Sequence, residues 1–266
     1  MKITFIGGGN MGEAILSALI KNKVTLAKDI TVSDTDETRR KFLAGKYGIN
    51  ISRDNVTAIT DADVIVFAVK PQVLTIIMPD LKGKIKPEQL MISIIAGARV
   101  ATLKNGLTHT AIARSMPNTP AQIGEGMTVW TATREVTATQ RKKTEQILSV
   151  LGKQIYVEDE KFIDMATAVS GSGPAYLFYF VEALIDSAVE LGFTHDEAKL
   201  LVLQTVNGAV HLLSQSGKET GDLRQAVTSP GGTTAAAIKT LDEGGFKFLI
   251  AKAIKAAYER AKEIGK

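Results

Sequence analysis

Four glycines fall within six residues, Gly7, Gly8, Gly9 and Gly12, between an apolar run ending at Ile6 and the start of helical spacing. Gly7, Gly9 and Gly12 fit the pattern G-x-G-x-x-G in the strand-then-helix context that gives this weak pattern meaning. The first glycine permits a tight turn, the second lets backbone approach a diphosphate, and the third lets helix and strand pack closely. A helix start then offers unpaired N–H groups and a positive dipole end to phosphate oxygens. Gly7, Gly9, Asn10, Met11 and Gly12 are therefore candidates for holding a dinucleotide. Asp34 follows Gly12 by 22 positions. An acid there either holds ribose hydroxyls, which favours NADH, or caps a turn or helix. Ser33, Arg39 and Arg40 stand beside it and suit a 2′-phosphate, so both NADPH and NADH stay open.

A second set of small residues lies far along the chain, at Ser229-Pro230-Gly231-Gly232-Thr233-Thr234, directly before a helical pattern. Successive backbone N–H groups in such a loop bind small anions such as carboxylates. The simpler reading is a plain N-cap by Thr233 or Thr234. Two glycines and two threonines exceed what a cap needs, so Ser229, Gly231, Gly232, Thr233 and Thr234 are candidates for a carboxylated ligand. The stretch Ser170–Tyr176, SGSGPAY, does not fit the nucleophile pattern G-x-S-x-G. His109, His195 and His211 form no cluster with carboxylates at ligand spacing, so no metal site is expected. His211 reads as a packed helix residue.

These groups need elements to position them. Short apolar runs at 2–7, 30–34, 62–69, 89–97, 109–116, 126–132 and 153–159 read as strands, and several are separated by helical patterns. That alternation predicts an α/β fold with a parallel, doubly wound sheet. Three further stretches fall at the carboxyl ends of such strands, where open α/β sheets bind ligands. They supply Ala68, Val69, Lys70 and Pro71, then Ala96 and Gly97, then Asn118. From about residue 160 no strand is evident. The pattern there is a helix, a Gly/Pro break, a long apolar helix at 175–191, a helix with a Thr194/Glu197 capping box, and an amphipathic C-terminal helix. The predicted domains are 1–159 and 160–266. The helix at 175–191 is apolar around most of its circumference, which predicts burial in a subunit interface; the alternative is the central helix of a monomeric bundle.

Bulk properties narrow the class further. The chain has 266 residues, no cysteine, 23% charged residues and a net charge of +4. Disulfides, thiolate catalysis and Cys-bound zinc are excluded. Lysine and arginine are dispersed without interleaved aromatics, so no nucleic-acid partner is expected. The most apolar run carries Glu182, Asp186 and Glu190, so no membrane partner is expected either. The N-terminus opens on a strand pattern instead of a targeting segment. Together these predict a cytoplasmic protein.

The stretches FIGGGNMGEAI, FAVKPQ, MPNTP, SGSGPAY and VTSPGGTTAAAIKTLD are together similar to the Δ1-pyrroline-5-carboxylate reductase family. The resemblance spans nearly the whole chain, and the last stretch is its most specific part. It implies a Rossmann-like N-terminal domain followed by an all-α dimerisation domain. It implies reduction of (S)-1-pyrroline-5-carboxylate to L-proline with NADPH or NADH. It implies a homodimer through the C-terminal helices, with dimers building a decamer. By motif match the cyclic imine's carboxylate would sit on Ser229–Thr234, Thr234 would face the ring nitrogen as the catalytic group, and Asn55 would lie near the adenosine end of the cofactor. Two alternatives are a dehydrogenase of a small hydroxy acid and a non-catalytic nucleotide-binding paralogue. In hydroxyacid dehydrogenases of related fold a lysine stands four residues after a comparable glycine motif. Here that position, after Gly173, is Leu177. A protonated imine is already electrophilic, so positioning suffices where a ketone would need an acid.

Overall fold

Parallel strands buried on both faces must be apolar at successive positions, and this chain has three such strands at its centre. In the computed structural model, which describes residues 1–265, they are β1 (Ile3–Ile6), β4 (Val64–Phe67) and β5 (Leu90–Ser93). All are fully buried along their length. Their side chains alternate between two cores. Ile3, Phe5, Val64, Val66, Leu90 and Ile92 face one layer of helices. Ile6, Ile65, Phe67 and Met91 face the other.

The complete sheet has eight strands in the order β3-β2-β1-β4-β5-β6-β7-β8. The others are β2 (Ile30–Ser33), β3 (Asn50–Ser52), β6 (Ile112–Met116), β7 (Gly126–Ala132) and β8 (Gly152–Tyr156). Neighbours pair in parallel except β6 and β7, which are antiparallel. The sequence predicts a parallel, doubly wound sheet, which six of the seven pairings follow, and the one exception has a simple cause. Only residues 117–125 join β6 to β7, too few for a parallel crossover. The edge strand β3 carries no signal in the sequence, because three residues set no period.

Helices α1 (Asn10–Lys21), α2 (Glu37–Tyr47), α3 (Asn55–Ile59), α4 (Pro71–Leu81), α5 (Val100–Leu107) and α6 (Ala138–Ser149) fill the connections. Then come α7 (Lys161–Ala166) and a π-helical turn over Thr167–Gly171. Only Ser172 separates this turn from α8 (Gly173–Glu190), so the expected Gly/Pro break is a wide turn in an almost continuous helical run. The remaining helices are α9 (His195–Ser216), α10 (Thr220–Ala226), α11 (Thr233–Glu243) and α12 (Phe246–Ile264). The Thr194/Glu197 capping box is present at the start of α9.

By packing, the chain forms two units. One comprises Met1–Pro174 and the C-terminal stretch from Ala256, the other Ala175–Lys255. Residues 160–174 join the sheet unit because Ile163 and Ala166 bury against Val129 and the half-buried Met116 and Met127. No described helix is long and apolar enough to cross a membrane.

Candidate dinucleotide and carboxylate sites

Strand order reverses between β1 and β4, where the connections leave in opposite directions. Open α/β sheets bind ligands in that crevice, outside the carboxyl ends of the strands. A cavity of about 580 Å³ opens there. Its lining includes Gly7, Gly9, Asn10, Ser33, Asp34, Asn55, Ala68, Val69 and Lys70, all candidates read from the sequence. Met11 packs into the core beneath α1. Gly12, Pro71, Ala96, Gly97 and Asn118 do not line this cavity.

The three glycines of the G-x-G-x-x-G pattern each have their own reason. Gly7 has φ +100°, and a methyl there would meet the Ala68 carbonyl oxygen at 2.7 Å. A methyl on Gly12 would meet the Gly7 carbonyl oxygen at 2.8 Å, which is the close helix–strand packing. A methyl on Gly9 would meet nothing within 4 Å, because that position faces the cavity. Gly9 is the N-cap of α1, and no side chain caps it. The first-turn amides are thus left for an anion. The residues present fit a dinucleotide's diphosphate.

At the far end of the cavity Asp34 holds the glycine loop. Its Oδ2 accepts from the Gly8 N–H at 2.7 Å and its Oδ1 from the Asp36 N–H at 2.9 Å. Helix α2 is capped by Asp36, so Asp34 is not the cap. The Ser33 hydroxyl donates to Asn55 Oδ1 at 2.7 Å, which brings two candidates together. Arg39 lines the cavity too. It donates from Nε to the Gly8 carbonyl at 2.5 Å and pairs with Glu13. Arg40 instead donates to the Asp34 carbonyl oxygen at 2.6 Å. Burial pushes the Glu13 carboxyl up, but hydrogen bonds from Tyr47, Lys46 and Arg39 outweigh it and leave its pKa below the usual value. Thr35, Asp36, Val73 and Ile77 also line the cavity, and no motif marks them in the sequence.

Beside this crevice, Lys70 is the N-cap of α4 and Pro71 its first residue. Lys70 is exposed. Asn118 is committed to structure on both ends of its amide. Nδ2 donates to the Ser170 carbonyl at 3.0 Å and Oδ1 accepts from the Met127 N–H at 2.8 Å.

The carboxylate candidate lies in the other unit. Gly231 has φ +71°, and the Gly232 N–H donates to the Ser229 carbonyl at 3.0 Å, closing a turn. Gly232 is the N-cap of α11, and no side chain caps it. Neither Thr233 nor Thr234 plays the plain capping role, so the helix start keeps its amides for another acceptor. Leu177 lies on α8 and is exposed in the single chain. His211 lies on α9 and is likewise exposed, where the sequence suggests packing.

The chain matches known proteins on both units. The profile described as pyrroline-5-carboxylate reductase dimerisation matches residues 160–264. The profile described as NADP oxidoreductase, coenzyme F420-dependent, matches residues 2–97. The pyrroline-5-carboxylate reductase of Pseudomonas aeruginosa is 40% identical over 264 residues, covering 99% of this chain and 96% of the relative. The Coxiella burnetii pyrroline-5-carboxylate reductase structure is 38% identical with a TM-score of 0.88, covering 100% of this chain and 98% of that one. The Plasmodium falciparum enzyme, solved with NADP bound, is 30% identical with a TM-score of 0.89, at 100% and 98% coverage. With identity of this level running from end to end, the chain belongs to the pyrroline-5-carboxylate reductase family.

Proposed function

We propose that this chain reduces (S)-1-pyrroline-5-carboxylate to L-proline with NADPH or NADH, the last step of proline biosynthesis. The observation that carries this reading is the uncapped start of α11 behind the Ser229–Thr234 turn, in a chain of this family. When bound, the nicotinamide supplies a hydride to the ring carbon of the C=N bond. The chain's own residues bind and orient. Gly7, Gly9, Asn10, Met11 and Gly12 serve the diphosphate. Ser33, Asp34 and Asn55 serve the adenosine end, Ala68, Val69, Lys70, Pro71, Ala96 and Gly97 serve the nicotinamide end, and Asn118 acts at that end only by bracing the loop after β6 through Ser170 and Met127. Amides and hydroxyls of Ser229, Gly231, Gly232, Thr233 and Thr234 clamp the substrate carboxylate. Thr234 hydrogen-bonds the ring nitrogen and is the one catalytic side chain in this scheme.

The functional division falls at 1–159 for the dinucleotide and 160–266 for substrate and assembly. The chain works as a cytoplasmic homodimer through its C-terminal helices, with dimers building a decamer. The profile over 160–264, described as a dimerisation module, supports assembly. A hydroxy-acid dehydrogenase would need a proton donor where Leu177 stands.

The test follows NAD(P)H oxidation with pyrroline-5-carboxylate and with 2-keto acids, and NAD(P)+ reduction with 3-hydroxy acids. Turnover is expected with the imine alone. Thr234→Ala should lower kcat/KM about a hundredfold, as removal of one preorganised donor does, with cofactor affinity unchanged. Unchanged turnover would remove Thr234 from the chemistry.

A further inference from the structure

Gly97 has φ +76° in the loop between β5 and α5, and it carries a contact that no dinucleotide explains. A methyl placed on it would lie 2.4 Å from Ile264 Cγ2 and 2.9 Å from the Ile264 carbonyl carbon and oxygen. The last turn of α12 therefore rests directly on this loop, within one packing unit. The next residue continues the contact, because a methyl on Gly265 would meet Arg99 Nε at 2.9 Å and the Gly97 carbonyl oxygen at 3.3 Å. Arg99 is the N-cap of α5, and its buried Nε has no hydrogen-bond partner.

The same loop is held from α7. Glu160 Oε1 accepts from the Val100 N–H at 2.8 Å and from Arg114 Nη1 at 2.7 Å. Asp164 accepts from Arg114 Nη2 at 2.9 Å and lies 3.8 Å from Arg99. Arg114 and Asp164 are buried, while Glu160 and Arg99 reach the surface, so the cluster is anchored from the interior. At the other end of the loop the Ile94 N–H donates to the Phe67 carbonyl at 3.1 Å, beside the start of the Ala68–Pro71 stretch. Three supports thus act on the backbone between Ile94 and Val100.

We propose that Ile264, at the last turn of α12, is a positioning residue that holds the Ile94–Ala98 loop in the shape that receives the cofactor. The inference rests on the reading above that Ala96 and Gly97 serve the nicotinamide end. Ile264 touches no reacting atom in this scheme. It acts through the Gly97 backbone, and Gly97 is glycine because the helix end occupies the space a side chain would need.

Cofactor affinity, measured by quenching of NADH or NADPH fluorescence without substrate, tests this directly. Ile264→Ala, and a chain ending at Glu263, should each raise the cofactor Kd and KM about three- to tenfold. The KM for pyrroline-5-carboxylate should stay constant, and Ile264→Val should restore the wild-type value. A lowered melting midpoint with unchanged cofactor Kd in Ile264→Ala would show a merely structural role and overturn the proposal. If the shortened chain does not fold, Ile264→Ala decides alone. A wild-type chain that binds and turns over, with variants that match it, sinks this inference and leaves the proposed function standing. A wild-type chain that binds no nicotinamide cofactor sinks both.

Discussion

The sheet unit and the helical unit use the same apolar residue types and end differently. In β1, β4 and β5 every residue is buried, because each parallel strand carries its own crossover helices to cover both faces. In α8 no residue is buried, although it is a long and largely apolar helix. Phe178 is 63% exposed and Tyr179 76%, and Leu177, Phe180 and Leu184 are open as well. Helices α9 and α12 add Leu200, Leu203, Phe248 and Leu249 to the exposed set. Monomeric proteins rarely leave so many large apolar side chains of one helical unit in water. The first unit completes its core with its own chain. The second is written for a core that one chain cannot close, in keeping with its match to a dimerisation profile.

That contrast can be broken at its strongest point. A charge in the middle of the exposed apolar face, Phe178→Asp, should reduce the light-scattering mass to that of one chain and abolish turnover. Because the dinucleotide cavity is built within one chain, the same variant should keep its cofactor affinity within about twofold. Loss of both together would show that the sheet unit is not self-sufficient. The next largest effect should come from the sheet unit's interior. Arg114→Ala leaves Glu160 and Asp164 without their buried partner and should cost about 3–5 kcal/mol in chemical denaturation. Arg114→Met should cost about as much, since the stranded carboxylates are the cause; full stability in either variant would remove the ion cluster from the account.

The cavity itself offers a sharper and smaller test. Asp34→Ser removes a carboxylate from the far end of the cavity and an acceptor from the Gly8 N–H. It should shift the ratio of kcat/KM values towards NADPH by about tenfold, about 1.4 kcal/mol, without changing oligomer mass. The smallest effect concerns His109, which is buried and whose imidazole is held below its usual pKa chiefly by that burial, against backbone hydrogen bonds at Gln89 and Ala111. Folding favours its neutral form, so the unfolded chain binds the extra proton first. The stability it contributes is complete above pH 6.5 and is lost as pH falls below that towards the folded value. Denaturation midpoints measured across this range should fall in the wild-type chain and flatten in His109→Gln. A parallel decline in both would assign the loss to other groups.

The fold class was legible because periodicity is a local property. Short continuous apolar runs rich in β-branched residues, such as Val64–Phe67, read as strands covered on both sides, and the glycine loop sits where strand period gives way to helix period. Most of the dinucleotide candidates were legible for the same reason, since β1, β2 and β4 each end at one edge of the sheet. The run 126–132 was legible as a strand, but its antiparallel direction was not, because direction is set by the length of a connection and by what it must cross. Arg39 was visible only as a charge, and its bonds to the Gly8 carbonyl and Glu13 depend on where α2 comes to rest.

Sequence alone determined which segments form the buried strands, where a glycine loop opens a helix at the end of β1, and that α8 carries more apolar surface than an isolated helix can hide. Tertiary structure alone decided that Asp34 braces the glycine loop, that Asn118 is spent on Ser170 and Met127, and that Gly97 lies under the end of α12. The reason is one of range. Period, propensity and capping act over a few residues, whereas these contacts join positions far apart in the chain, and such contacts exist only once the sheet has fixed their distance.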